Sequence, residues 1–246
     1  MASFQFRKFV LEHDRSTMKI GTDAVLLAAL TDVRDARSLL DIGCGCGVVA
    51  FCVAQKMARQ GVLAHICGVD ADAGSVAEAQ HNADLYTLLP DGSFQFVHGR
   101  IQDFARMDVA PKFDLIVSNP PFFHRDLKPS EPSRLKSRHG DGQLAFEELV
   151  EAVRRLLCAD GRFVLILPTV EAEVFDAVAR AAGLSCSART FVRPTAKKPA
   201  HRVVQEYGWQ PSECKAHTLT IRDERNHYTD EYLALVKTYL LLTPKP

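Results

Sequence analysis

Between residues 38 and 167, short apolar runs alternate with helical patterns, and few folds accept a chain in that order. The runs 38–42, 65–69, 94–98, 113–118 and 162–167 have the length and β-branched content of strands buried on both faces. Helical patterns fill the gaps: 48–59 after a cluster of glycines, 73–85 with Ala, Glu and Gln, and 144–157 with Leu149, Val150, Val153, Leu156 and Leu157 at helical spacing. Strand and helix in alternation predict an α/β chain of βαβ units: a mostly parallel central sheet with helices on both faces and ligands at the carboxyl ends of the strands. Further on, a helix over 171–182 stopped by Gly183, then runs at 187–192, 201–209 and 218–222, predict an antiparallel C-terminal part.

Size and charge set outer bounds. With 246 residues and 47% hydrophobic content the chain can bury a large core, and one domain over 1–246 is expected. In that division 1–35 is an N-terminal extension, 36–168 the core and 169–246 a C-terminal part of the same sheet. Thirty basic and thirty acidic side chains cancel, which excludes a uniformly positive surface but leaves room for local basic patches. The opening residues lack the apolar centre of a signal peptide, and no apolar run approaches the roughly 20 residues that span a bilayer. A soluble cytoplasmic protein is expected. The seven cysteines sit mostly in or beside apolar runs, as reduced core thiols do. Cys44 and Cys46 are one residue apart with no second pair at finger-like spacing, so no metal is expected.

The turn Asp41-Ile42-Gly43-Cys44-Gly45-Cys46-Gly47 stands between a strand and a helix, where the backbone must bend sharply and admit a ligand. Val48 occupies the third glycine of a dinucleotide fingerprint, and Asp41 precedes the first glycine, which suits a cationic group better than a pyrophosphate. S-adenosylmethionine, with an ammonium and a sulfonium, fits that charge pattern better than NAD does. Asp70, at the end of the second strand, has the position of a carboxylate that accepts ribose hydroxyls, or else is a helix N-terminal acid. Asp103 is placed to take the cofactor's adenine amino group, or else caps a surface helix. Upstream, Lys19 and Thr22 are candidates for the cofactor's carboxylate at a helix start near Ala24, where Thr22 or Asp23 also serves as a plain cap.

Asn119-Pro120-Pro121-Phe122 follows the fourth strand directly. Two prolines end the strand and hold the preceding residues extended, so the Asn119 carboxamide and the Pro120 carbonyl point in fixed directions with the Phe122 ring beside them. Such a corner accepts both N–H bonds of a planar amine and lets its nitrogen rehybridise toward attack on a methyl group. After it comes a loop-like interval, 124–142, that is either a substrate-binding loop or a solvated insertion.

These residues resemble the class I S-adenosylmethionine-dependent methyltransferases, specifically the amino-methylating group marked by Asn-Pro-Pro-aromatic. The likeness extends to His13-Asp14-Arg15, Lys19 to Asp23, Arg138-His139, Phe191-Val192-Arg193-Pro194 and Tyr228-Thr229-Asp230-Glu231-Tyr232, and is similar to the bacterial tRNA1(Val) (adenine-N6)-methyltransferase family. It implies a Rossmann-like methyltransferase fold, with Asn119, Pro120 and Phe122 on the target adenine. It also implies Asp41, Gly43, Asp70 and Asp103 on the cofactor, with tRNA as the partner. Basic residues suit an RNA: Arg134, Arg138 and His139 after the pocket, and Lys197, Lys198 and Arg202 in the tail, unless they are ordinary solvated charge. Pro121, Gly45 and Gly47 complete the expected site. Two rivals share the Asn-Pro-Pro corner. A protein glutamine N5-methyltransferase usually has Tyr in place of Phe122 and a helical N-terminal domain, for which about 35 residues are too few, while an rRNA guanine-N2 methyltransferase often has a duplicated domain.

Overall fold

The structure, a computed structural model, describes residues 2–16, 19–86, 89–90, 93–120 and 144–242. A two-stranded hairpin, β1 (Ser3–Gln5) and β2 (Val10–Glu12), opens the chain and is followed by α1 (Thr22–Leu30). Then come β3 (Ser38–Ile42), α2 (Val48–Arg59), β4 (His65–Asp70), α3 (Ala73–Leu85), β5 (Phe94–His98), α4 (Ile101–Phe104), β6 (Phe113–Ser118), α5 (Phe146–Leu156) and β7 (Leu157–Pro168). The last elements are α6 (Thr169–Ala181), β8 (Ser185–Thr195), β9 (Arg202–Gly208), β10 (Lys215–Arg222) and α7 (Asp230–Val236).

Eight strands form one sheet in the order β10-β8-β9-β7-β6-β3-β4-β5. From β5 to β7 every pairing is parallel, as the alternation predicts. The C-terminal part carries its reversal in one strand: β9 runs antiparallel to both β7 and β8, while β10 lies parallel to β8. Successive side chains of a strand face opposite sides, and the core divides accordingly. Leu115, Val117, Val164 and Ile166 pack with α1 and α2; Ile116, Leu165 and Leu167 pack with α5 and α6. Both faces are covered, which is why the strands read as unbroken apolar runs.

Local chemistry fixes the helix starts near the sheet's carboxyl edge. Gly47 precedes α2 with φ +85°, and a Cβ there would meet the Phe51 ring at 2.5 Å, so only glycine fits the bend. Asp72 precedes α3 and accepts from the Ser75 N–H at 2.7 Å. The cap expected of Thr22 or Asp23 does not form: α1 begins at Thr22 itself, and Gly21 before it offers no side chain. Asp23 makes a different bond, described below.

Two buried polar residues of α3, four apart and therefore on one face, hold the N-terminal segment in place. Glu78 accepts from the Arg15 and Ser16 N–H groups at 2.8 and 2.9 Å. Asn82 exchanges bonds with the Glu12 backbone at 2.9 and 3.0 Å and donates to the Cys46 carbonyl at 3.1 Å. One side chain thus ties β2 to the glycine turn. No helix among the described residues is long and apolar enough to cross a membrane.

Candidate active site

In the sheet order β3 has β4 on one side and β6 on the other, and Ile42 stands in register with both Val69 and Ser118. The chain reverses its direction of travel across the sheet at this pair, which opens a crevice at the carboxyl ends. Ser118 closes the seam below by donating to the Ile42 carbonyl at 2.9 Å. Above lies a cleft of about 550 Å³, bounded by Gly43, Gly45, Asp70, Asn119, Leu144 and His201 among others. That size is ordinary for a cofactor-binding cleft.

Asp70 organises the floor. One carboxylate oxygen accepts from the Gly45 N–H at 2.8 Å and the other from the Asp72 N–H at 2.9 Å, so the carboxylate joins the glycine turn to the start of α3. Gly43 and Gly45 have φ of +72° and +54°, and the space where a Cβ would stand is open at both. The turn therefore presents bare backbone to the cleft.

Asn119 lies on the lining, and its carboxamide oxygen is buried with no hydrogen-bond partner among the described residues. A buried acceptor without a donor is costly, by about 1–3 kcal/mol, unless a ligand completes it. Pro120 lines the cleft next to it.

Lys19 and Thr22 also line the cleft. The Lys19 ammonium donates to the His13 and Asp14 carbonyls at 2.6 and 3.2 Å, which fixes the strap leading from β2. Asp41, Gly47 and Asp103 are absent from the lining. The Asp41 carboxylate sits buried beneath the glycine turn and accepts from the Ala50 N–H, in the first turn of α2, at 3.1 Å. Burial raises its pKa to about 7, against the opposing Ala50 hydrogen bond and with a smaller push from the Asp70 charge. Asp103 is exposed on α4; from the same short helix Ile101 and Gln102 face the cleft instead.

From the far end of the chain, His201 enters the lining immediately before β9. Arg202 follows it and pairs with Asp23 at 2.8 Å, which locks β9 to the first turn of α1. Lys197 and Lys198 are exposed on the turn before β9, and Lys197 pairs at 3.2 Å with the equally exposed Glu224. Such a surface pair is weak. Pro121, Phe122, Arg134, Arg138 and His139, and the interval 124–142, lie outside the described residues.

Residues 15–170 match the family model described as the methyltransferase small domain. The chain is 36% identical to the tRNA1(Val) (adenine(37)-N6)-methyltransferase of Phocaeicola vulgatus over 97% of each chain. It is 34% identical to that of Bacteroides fragilis over 97% of each. The chain belongs to the tRNA1(Val) (adenine-N6)-methyltransferase family. Among solved structures, the T. Thermophilus 16S rRNA methyltransferase in complex with AdoMet and guanosine superposes with a TM-score of 0.55 at 19% identity, covering 85% of this chain and 50% of that one. At that identity it bears on the fold alone.

As a member of the tRNA1(Val) (adenine-N6)-methyltransferase family, the protein is a methyltransferase, an enzyme that takes its methyl group from a donor such as S-adenosylmethionine. Its crevice accepts such a donor on two counts: bare backbone at Gly43 and Gly45, and an anionic floor at Asp70.

Proposed function

We propose that this protein methylates the exocyclic N6 amine of an adenine in cytoplasmic tRNA, the adenosine just 3′ of the anticodon of tRNA1(Val). The observation that carries the reading is the Asn119 carboxamide oxygen, buried without a hydrogen-bond partner among the described residues on the lining of a crevice that the glycine turn and Asp70 bound. The names of the relatives supply the class of acceptor.

When bound, S-adenosylmethionine supplies an electrophilic methyl group on its sulfonium. Asp70 offers the carboxylate for the ribose hydroxyls, and Gly43 and Gly45 let the backbone approach closely. Lys19 and Thr22, both on the lining, would hold the methionine carboxylate. Ile101 and Gln102 present an apolar face and a carboxamide to the adenine, the part expected of Asp103. Asp41, buried beneath the turn and outside the lining, would act by holding the start of α2 through the Ala50 N–H rather than by touching the cofactor.

The target amine is a poor nucleophile because its lone pair is shared with the ring. Asn119 Oδ1 and the Pro120 carbonyl accept its two N–H bonds, which draws the nitrogen toward tetrahedral and stabilises the positive charge that develops there. Alignment of the reacting atoms is worth roughly 7–11 kcal/mol. The base must leave its stack to reach the corner, and the Phe122 ring recovers part of that cost, about 1–3 kcal/mol. Lys197 and Lys198 on the β8–β9 turn meet phosphates, while Arg202 positions that turn through Asp23.

Incubation of the enzyme with radiolabelled methyl donor and either total tRNA or total protein, followed by nucleoside analysis, tests the reading. Label should appear in tRNA as N6-methyladenosine. Asn119→Ala should lower turnover by roughly a hundredfold or more, with donor affinity nearly unchanged. Label in protein, or normal turnover by that variant, would remove the proposed roles.

A further inference from the structure

At the other end of the sheet two thiols face each other. Cys186 sits in β8 and Cys214 immediately precedes β10, the strand that pairs with β8 at the sheet's edge, and their sulfurs are 3.3 Å apart. Cys186 is buried, whereas Cys214 is partly exposed. The Arg189 guanidinium completes the group by donating its Nε–H to the Cys186 sulfur at 3.4 Å. Arg189 is itself held by Asp176. Closing the sulfurs to a bond of roughly 2.0 Å takes a movement of about 1 Å, which side-chain rotation supplies. Cys44, Cys46, Cys52 and Cys67, by contrast, are all buried in the core.

We propose that Cys186 and Cys214 are an oxidisable dithiol, a site at which a hydroperoxide converts two thiols into a disulfide joining β8 to the start of β10. The more accessible Cys214 sulfur attacks the terminal peroxide oxygen: an S–O bond forms, the O–O bond breaks, and the departing alkoxide or hydroxide takes up the thiol proton. Cys186 then attacks the Cys214 sulfur, the S–S bond forms, the S–O bond breaks, and the hydroxyl leaves as water with the Cys186 proton. Two thiols are oxidised, and one peroxide is reduced to an alcohol, or water, plus water.

The order of events follows from the surroundings. Burial, and next the hydrogen bond with Cys214, push the Cys186 thiol up to about 12, with Arg189 working in the opposite direction. Cys186 is thus suited to the second step, where the Arg189 guanidinium stabilises its thiolate as it forms. The bond spans a separation of 28 residues that contains all of β9 and the turn with Lys197, Lys198 and His201. Oxidation therefore staples the edge from which the acceptor side of the cleft is built, and stabilises the fold by restricting the unfolded chain.

The test treats the full chain with hydrogen peroxide, counts free thiols after denaturation and maps peptides without reduction. Seven thiols should fall to five, with one crosslinked pair containing Cys186 and Cys214, reversed by dithiothreitol, and the oxidised protein should melt higher. Cys214→Ser should keep all its remaining thiols free, Cys186→Ser should accumulate a sulfenic acid trapped by dimedone, and Cys158→Ser should still form the bond. An unchanged thiol count, crosslinks among other cysteines, or equal oxidation of Cys214→Ser would overturn the proposal. If the variants do not fold, the wild-type peptide map alone decides.

Discussion

Substituting Asp41 by Asn tests whether this buried carboxyl titrates as its surroundings require. Its pKa is raised from 3.8 to about 7, chiefly by burial, so the folded protein prefers the protonated acid. The sign follows directly. Below pH 3.8 the group is protonated in both states and contributes its full share; as pH rises toward 7 the unfolded chain ionises first, and stability is lost until the folded form ionises too. With 1.36 kcal/mol per pKa unit, the loss attributable to this group between pH 5 and pH 8 is about 2–3 kcal/mol. The carboxamide of the Asp41→Asn variant still accepts from the Ala50 N–H and has no proton to lose. Any packing penalty of the amide is independent of pH, so the difference between the two proteins' pH profiles isolates the titration. Urea unfolding of the ligand-free wild type and Asp41→Asn at pH 5, 6, 7 and 8 supplies both profiles. The variant should gain on the wild type by about 2–3 kcal/mol across that range. Parallel profiles would show that the carboxyl ionises as an ordinary surface acid, and the reasoning from burial would fail.

Two further perturbations probe the turn and its anchor. Gly47→Ala drives a Cβ against the Phe51 ring in a backbone with φ +85°, and should destabilise the fold by about 1–3 kcal/mol in the same denaturation assay; unchanged stability would mean that the turn has another conformation. Asp70→Ala removes the acceptor of the Gly45 and Asp72 N–H groups and should weaken S-adenosylmethionine binding by roughly tenfold or more in calorimetry, with full affinity arguing against a cofactor role for this carboxylate.

The core strands were legible because each lies between two covered faces, and apolar content alone marks such a segment. The hairpin β1–β2 was not: each strand has three residues, too few to display a period. The start of β7 at Leu157 was also hidden, since it follows α5 without an intervening loop and pairs with Phe113 beside an irregularity in register. That Asn119 and Asp70 line the cleft could be foreseen because a polar residue at the end of a buried strand is conspicuous. Asp41 stands off the lining instead: it lies two residues beyond Leu39, on the face that α2 covers, and period two sends its side chain under the helix. Asp103 and Gln102 differ by about 100° around α4, a rotation that no pattern in a four-residue helix can specify. Glu78 and Asn82 had a readable signal in their spacing of four, yet only the packed N-terminal segment reveals what they hold.

The reversal of β9 has a wider consequence. Because this strand runs against β7, Arg202 registers with Pro168, and the first residues of β9 arrive at the level where the parallel strands deliver their last. A segment some eighty residues beyond Asn119 thereby becomes the opposite jaw of the same mouth, carried on a tip that leaves the strands beneath it untouched. Residues 196–200 can consequently change in length or charge without displacing the strands that carry the glycine turn, Asp70 and Asn119.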